Sequence, residues 1–548
     1  MPKDPIEKAF LAELEAIEKF RISYTGAFPN VPLVREDPDV RRLIEAMAMF
    51  TARTRLAAER NVGQSMVRLF RQHFPFLLSP VPAMTMLQAL PSSRYVDLTQ
   101  LPRNVEVRAV YNPGREAPEQ VYRFRTLSRL RILPIRLEGI NLYRPSGRGF
   151  RIVLAFASAF PRNDEIGELR LYVNHLNDFL SSLTVLHAIK THLIRASIVF
   201  GERVNDDTVG QPCEVSFGAP PADSDEIDDF NHPLEIARSF FRLPQQELYL
   251  TVQGIRTPRN WDRFTVCLDV DDAWPTELRL SAEAFQLHVV PIVNVVKAMA
   301  NPIECDGTRE RWPVKHPEPS ARFAPHSILG VYRMTRDGLS PMKPAVVGSR
   351  GDTYEAILDG RGERRGAWVS LNLPNAFEAP ERVAVDAMWH QPGLRGIGAS
   401  DLRARLADRM VDGVSFACVG PLVSHAESDL EDDREALLQL LSIKNQKFLG
   451  LDDLASLLRA LGADREKYFS KVVASIADLS VRTAPYARRS AGFKYTYELT
   501  FEDLDSSDVP VVDLFCEKLL DVLAAWSTEE IVELVAKLPN LEKTFHYS

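Results

Sequence analysis

Cysteine is scarce in this 548-residue sequence and poorly placed for chemistry. Cys213, Cys267, Cys305, Cys418 and Cys516 are an odd number, lie far apart and contain no CxxC pair. That spacing signals neither a zinc site nor a disulfide framework, so the thiols are expected reduced and mostly buried. No apolar run approaches the roughly 18 residues of a membrane span, so direct membrane insertion is not expected. The opening MPKDPIEKAFLAELEAIEKF is charged and amphipathic and lacks a signal peptide's unbroken apolar core, which predicts a cytoplasmic chain. Positive charge is not in excess either. With 66 Lys and Arg against 74 Asp and Glu, the net charge of -8 argues against nucleic acid as a partner. No P-loop, GxSxG elbow, HExxH or EF-hand loop occurs. The expectation is therefore a chain with no catalytic residue, no cofactor and no metal.

What is present is an ordinary soluble composition, long enough for about three to four domains. Patterning predicts an α+β multidomain protein: a helical N-terminal segment (1–84), strand-rich middle domains (85–225 and 226–345) and a mixed C-terminal domain with a terminal helix (346–548). Residues 304–345, rich in proline, arginine and histidine, read as an extended linker. At Asp37-Pro38-Asp39 the signals for a helix start coincide. Asp37 can cap free N–H groups, Pro38 fits the first turn, and Asp39 has the charge the helix dipole favours. Val40, Leu43, Ile44, Met47 and Phe50 then mark one apolar stripe, continued less cleanly to a stop at Pro75. At ~1.5 Å per residue such a helix spans on the order of 50 Å, long enough to require partner helices. The C-terminal stretch 512–538 reads as a second long apolar-striped helix.

Several near-motifs fail on geometry. GLRGIG (393–398) has the wrong glycine spacing for a nucleotide loop and reads as a turn. His187 and His192 are five apart on a predicted helix, about 140° around it, and cannot readily chelate one ion. Ser424-His425 beside the acids at 427–435 is a poor hydrolase triad, because adjacent side chains in a loop rarely reach one another in the needed order. The acidic runs 222–230 and 427–435 lack the glycine of a calcium loop. Arg123, Arg125, Arg129, Arg131 and Arg136 could form a basic stripe, although a solvated strand face is the plainer reading.

One stretch, QLHVVPIVNVVKAMANPI (286–303), has apolar strand character but contains two prolines. Period two holds to about Val290. Beyond Pro291, Ile292, Val295, Val296 and Met299 fall at helical spacing, with Asn294 on the polar side. The pattern predicts a strand turning into a short helix begun by Pro291, with Asn294 free to bond nearby backbone.

Several segments, in order, resemble the TssF family of bacterial type VI secretion. They are DPDVRRLIEAMAMFTARTR followed by FPFLLSPVPAM, then YRFRTLSRLRILPIRL, GELRLYVNHLNDFLSSL, LEIARSFFRLPQQELYLTVQGI and LHVVPIVNVV. Ala83 stands where the family usually has serine. The resemblance covers most of residues 10–305 and thins after about 345. It implies a non-enzymatic baseplate wedge subunit, present in more than one copy, that assembles with TssG-, TssE- and TssK-like proteins around a VgrG-like spike hub. It also implies docking at the inner membrane through the secretion apparatus. Asp37, Pro38, Leu43, Ile44, Met47 and Phe50 would then serve an intersubunit bundle, and Pro291 and Asn294 a scaffold corner. The alternatives are the baseplate of another contractile injection machine, or a cytosolic hydrolase, which would need acids or a nucleophile clustered in a pocket.

Overall fold

The computed structural model describes residues 5–28, 38–114, 118–145, 149–201, 204–205, 208–220, 232–345, 351–373, 380–430, 433–444, 446–485, 493–527 and 531–548. These fall into two compact units. The first comprises residues 1–78 and 429–446, the second 79–428 and 447–548.

The first unit is helical. Helix α1 (Pro5–Ala27) packs on α2 (Pro38–His73), and Arg55 Nη1 meets Glu13 Oε1 at 3.1 Å between them. Helix α2 begins at Pro38, with Asp39 in its first turn and Arg71 and His73 in its last, an order the macrodipole favours. It ends before Pro75, which cannot continue a helix at its interior. A third helix, Arg434–Ile443, joins them: Arg434 lies over Gly63, where a Cβ would come within 3.0 Å of the guanidinium.

The second unit is built mainly from antiparallel sheets. A closed barrel uses strands Met84–Pro91, Val289–Val293, Gln120–Thr126, Glu106–Tyr111, Leu402–Leu406 and Val414–Val423 in that order around it. Its interior is filled by Leu87, Val107, Ala109, Phe124, Val290 and Ile292. An eight-stranded sheet runs from Phe285–Leu287 to Ile135–Tyr143. Two smaller sheets share a core around Trp389, Val331, Val369 and Trp312. A four-stranded C-terminal sheet contains a parallel pair, Phe493–Phe501 with Ile531–Leu538. The helices Pro233–Arg242 and Val509–Trp526 bring together Phe240, Phe241 and Phe515 around Phe469, with ring centroids 5.1 to 6.2 Å from Phe469.

Three expectations are corrected. Residues 304–345 are not a linker, since they carry strands Trp312–Val314 and Ala324–Thr335 inside sheets. The C-terminal helix stops at Trp526, and Ile531–Leu538 is a strand whose burial alternates residue by residue. That helix buries most of its apolar residues within this unit, so its stripe is already covered. Finally, the stretch 286–303 contains no helix. Phe285–Leu287 belongs to the eight-stranded sheet, Val289–Val293 to the barrel and Val296–Met299 to the five-stranded sheet. Every residue of Val289–Val293 is buried, so the strand shows no alternation, and a kink after it mimics a helical period. His288, at φ 59°, makes the first corner.

Among the described residues no helix is long and apolar enough to cross a membrane. Cys267, Cys305 and Cys516 are buried, Cys213 and Cys418 half-buried, and all five are free thiols.

Candidate interface and a buried histidine cluster

On α2 the apolar residues divide between a packed and an exposed side, Phe70 being fully buried near its end. Ala48 and Ala52 are fully buried, while Leu43 is 61% exposed, Met47 56% and Phe50 73%. Ile44 is half-buried, Pro38 is exposed, and Asp37 lies outside the described residues. Phe20 and Ile22 on α1 are also exposed. Scattered apolar residues are normal on a surface, but Leu43, Met47 and Phe50 recur at spacings of four and three along one helix face. Among the described residues this face of α2 is exposed.

Pro291 and Asn294 lie deep in the second unit. Pro291 sits opposite Met86 in the barrel, and its carbonyl accepts from Leu127 N–H at 2.9 Å. In an antiparallel strand a residue's N and C=O face the same neighbour. The proline nitrogen therefore faces the strand Gln120–Thr126 just beyond that ladder, whose pairing begins at Ile292, so no ladder bond is lost. Asn294 forms the second corner. Its Nδ2 donates to the Arg123 carbonyl at 2.7 Å, and its Oδ1 accepts from Gln391 N–H at 2.7 Å. Its own N–H donates to the Ala83 carbonyl at 2.8 Å. Asn294 thus bonds the backbone of three segments distant in sequence, at a corner between strands rather than on the polar side of a helix.

The arginines of the proposed stripe are occupied within the chain. Arg123 pairs with Glu318 at 2.5 Å, Arg129 with Glu168 at 3.4 Å and Arg136 with Glu138 at 3.2 Å. Arg131 donates to the carbonyls of Glu165 and Ile166, and buried Arg125 donates to Asn104. A polar cleft beside them is lined by Arg108, Arg123, Glu318, Glu363 and Arg405. There the Arg123 hydrogen bond lowers the Glu318 pKa, the wrong direction for a general acid or base poised near neutrality. His187 contacts Asp513 and His192 contacts Asp271, so the two do not converge.

Sequence reasoning missed one constellation. His390, ending strand Glu381–His390, lies beside His425, with ring centroids 5.7 Å apart. Glu427 Oε1 is 3.6 Å from His425 Nε2 and accepts from Gly362 N–H at 2.7 Å, while Oε2 meets Arg365 Nη1 at 3.1 Å. Burial alone would raise the Glu427 pKa, but His425, the Gly362 N–H and Arg365 bring it down to about 2. Burial, with His326 and His425 adding to it, pushes His390 well below the usual histidine range. Ser424-His425 was the visible signal. The serine hydroxyl is not part of the cluster, and His390 comes from 35 positions upstream, a separation no local pattern reveals.

The family model "Type VI secretion system, TssF" matches residues 30–349, more than half of the chain. A chain from the type VI secretion system TssK-TssF-TssG baseplate subcomplex, solved by cryo-electron microscopy, is similar with TM-score 0.75 at 16% identity. That match covers 93% of this chain and 98% of the other. A chain from the baseplate complex of the type VI secretion system is similar with TM-score 0.59 at 14% identity, covering 99% and 98%. At such identities the two structures establish a shared fold. No curated protein matches the sequence.

Proposed function

Because this chain belongs to the TssF family of type VI secretion, we propose that it is a structural subunit of the baseplate wedge and acts through interfaces rather than catalysis. The observation that carries this reading is one face of α2, where Leu43, Met47 and Phe50 stand exposed among the described residues at spacings of four and three. Burying that face against a helical partner recovers roughly 25 cal/mol per Å² of apolar surface. The first partner is a TssG-like subunit, since the similar fold was solved in a complex with TssG and TssK. TssK- and TssE-like subunits and a VgrG-like hub complete the assembly, with a second copy of this chain in each wedge. The complex forms in the cytoplasm and docks at the inner membrane through the apparatus. Pro38 sets the start of the interface helix, and Pro291 and Asn294 hold a scaffold corner within the second unit.

The test is the native mass of this chain alone and co-expressed with the TssG-like protein of the same locus. A stable complex containing more than one copy of this chain is expected, and the triple substitution Leu43→Asp, Met47→Asp, Phe50→Asp should abolish it. A monodisperse monomer indifferent to that partner would overturn the wedge reading. A complex that survives the triple substitution would move the interface elsewhere.

A further inference from the structure

We propose that His390, His425 and Glu427 form a binding site for one divalent transition-metal ion of the zinc class. One ligand atom from each residue can be chosen so that all lie within 4.8 Å of one another. Bond lengths of about 2.0–2.2 Å place neighbouring ligands of a tetrahedral ion roughly 3.3–3.6 Å apart. His425 Nε2 and Glu427 Oε1, at 3.6 Å, already have that separation, and the remaining gap is within reach of small side-chain rotations.

The second observation is the state of the rings. His390 and His425 are both more than nine-tenths buried, and among the described residues none of their four ring nitrogens has a partner within hydrogen-bond distance, the nearest being Glu427 Oε1 at 3.6 Å from His425 Nε2. A neutral imidazole carries one donor and one acceptor, and buried polar groups are ordinarily paired. An ion between the rings would take a lone pair from each. His326, the third histidine nearby, lies outside the group of three: its Nε2 is 3.0 Å from the Pro80 carbonyl and its Nδ1 3.3 Å from Ser327 Oγ.

The backbone explains the arrangement. Ala426 exchanges both backbone hydrogen bonds with Val81, at 2.8 and 2.9 Å, which holds 425–427 extended. Residues i and i+2 of an extended segment share a face, so His425 and Glu427 project together toward His390. Glu427 is also fixed from behind by Arg365 and Gly362, the kind of outer contact that orients a metal-binding carboxylate. The charge nearby is manageable. Arg365 is opposed by Glu427, and Arg238 by Glu235 at 3.1 Å. Two imidazoles and one carboxylate favour zinc, cobalt or nickel over magnesium or calcium, which take oxygen ligands. Three protein ligands leave one position for water. An ion here would tie the end of strand Glu381–His390 to the segment after the barrel strand Val414–Val423. Through Glu427 it would also hold the turn at Gly362.

The experiment uses the full chain, stripped with a chelator, reloaded with Zn²⁺ and desalted before metal is counted by mass spectrometry. One zinc per chain and a raised melting temperature are expected for the wild type and for the surface control His546→Gln. Glu427→Gln and His390→Gln should each lose the metal and the thermal shift. Loading with Co²⁺ should give the intense visible bands of a low-symmetry site, unmoved by excess Mg²⁺. Failure of the wild type to retain zinc would overturn the proposal, as would one zinc retained by both cluster variants. Should the variants fold poorly by circular dichroism, the wild-type Co²⁺ spectrum decides: a weak, aqua-like spectrum sinks the idea.

Discussion

In the helical unit Leu43, Met47 and Phe50 stand in solvent, whereas in the sheet-rich unit even Arg125, Arg238, Arg365 and His390 are buried. One sheet closes on itself as a barrel, and two of the open sheets pack over a shared core. The long helix buries Ala48, Ala52 and Phe70 and leaves Leu43, Met47 and Phe50 outward. The helical unit leaves a row of large apolar side chains exposed along one helix face, the face proposed above as an interface.

The contrast can be broken or sharpened by measurement. The largest effect on stability is expected at Phe469, which sits among Phe240, Phe241 and Phe515. Phe469→Ala should cost about 3–5 kcal/mol by denaturant titration. All six tryptophans lie in the sheet-rich unit, so their fluorescence follows it alone. An unchanged fluorescence midpoint would mean that the aromatic cluster is not what holds that unit.

Acid comes next. Burial pushes His288 down to about 4 from its ordinary 6.5. Between those values the unfolded chain holds the proton and the folded chain does not, so stability falls as pH falls. A shift of that size corresponds to about 3 kcal/mol, lost from pH 6.5 to 4. Asp513 adds a second loss. Burial opposes its ionisation, but His187, Lys190 and Tyr547 hold its pKa at about 2, so its contribution disappears below its ordinary 3.8. In the helical unit, Glu15 and Arg55 are the described groups that are shifted, and both are solvent-exposed. Hydrogen exchange read peptide by peptide should therefore show the sheets loosening with acid more steeply than α1 and α2. His288→Asn, which tolerates the positive φ, should flatten the slope between pH 6.5 and 4. Buried His390 and His326, also held below the ordinary histidine value, keep part of the slope, so only a wholly unchanged slope would rule out His288 as a contributor.

Asn294→Ala should cost about 2–4 kcal/mol, because it strands the Arg123 carbonyl and the Gln391 N–H in a buried corner. An unchanged melting temperature would remove Asn294 from the list of structural residues. Smallest of all, Leu43→Asp, Met47→Asp and Phe50→Asp should each change the stability of the isolated chain by no more than about 0.5 kcal/mol. A large loss in any one would mean that the stripe is already covered within the chain.

Much of this contrast was legible beforehand, and unevenly. The start of α2 at Pro38 and its end before Pro75 could be read directly, because caps, dipole charges and prolines act within one turn of helix. The stripe Leu43, Met47, Phe50 was readable for the same reason, although its pattern could not say which side would be covered. In Val289–Val293 the reading failed. A strand buried on both faces offers no alternation, and Pro291 is tolerated only because the neighbouring ladder ends there. A helix read across Ile531–Leu538 is wrong because Val532, Leu534, Ala536 and Leu538 are buried at period two, as in a strand.

By itself the sequence determined the class of protein, the long N-terminal helix and the family signature, all of which rest on local order along the chain. Only the tertiary structure decided that 286–303 serves three different sheets, that Asn294 joins three segments, and that His390 meets His425 and Glu427. Those outcomes depend on which distant strands pair, and no residue's nearest neighbours in sequence carry that information.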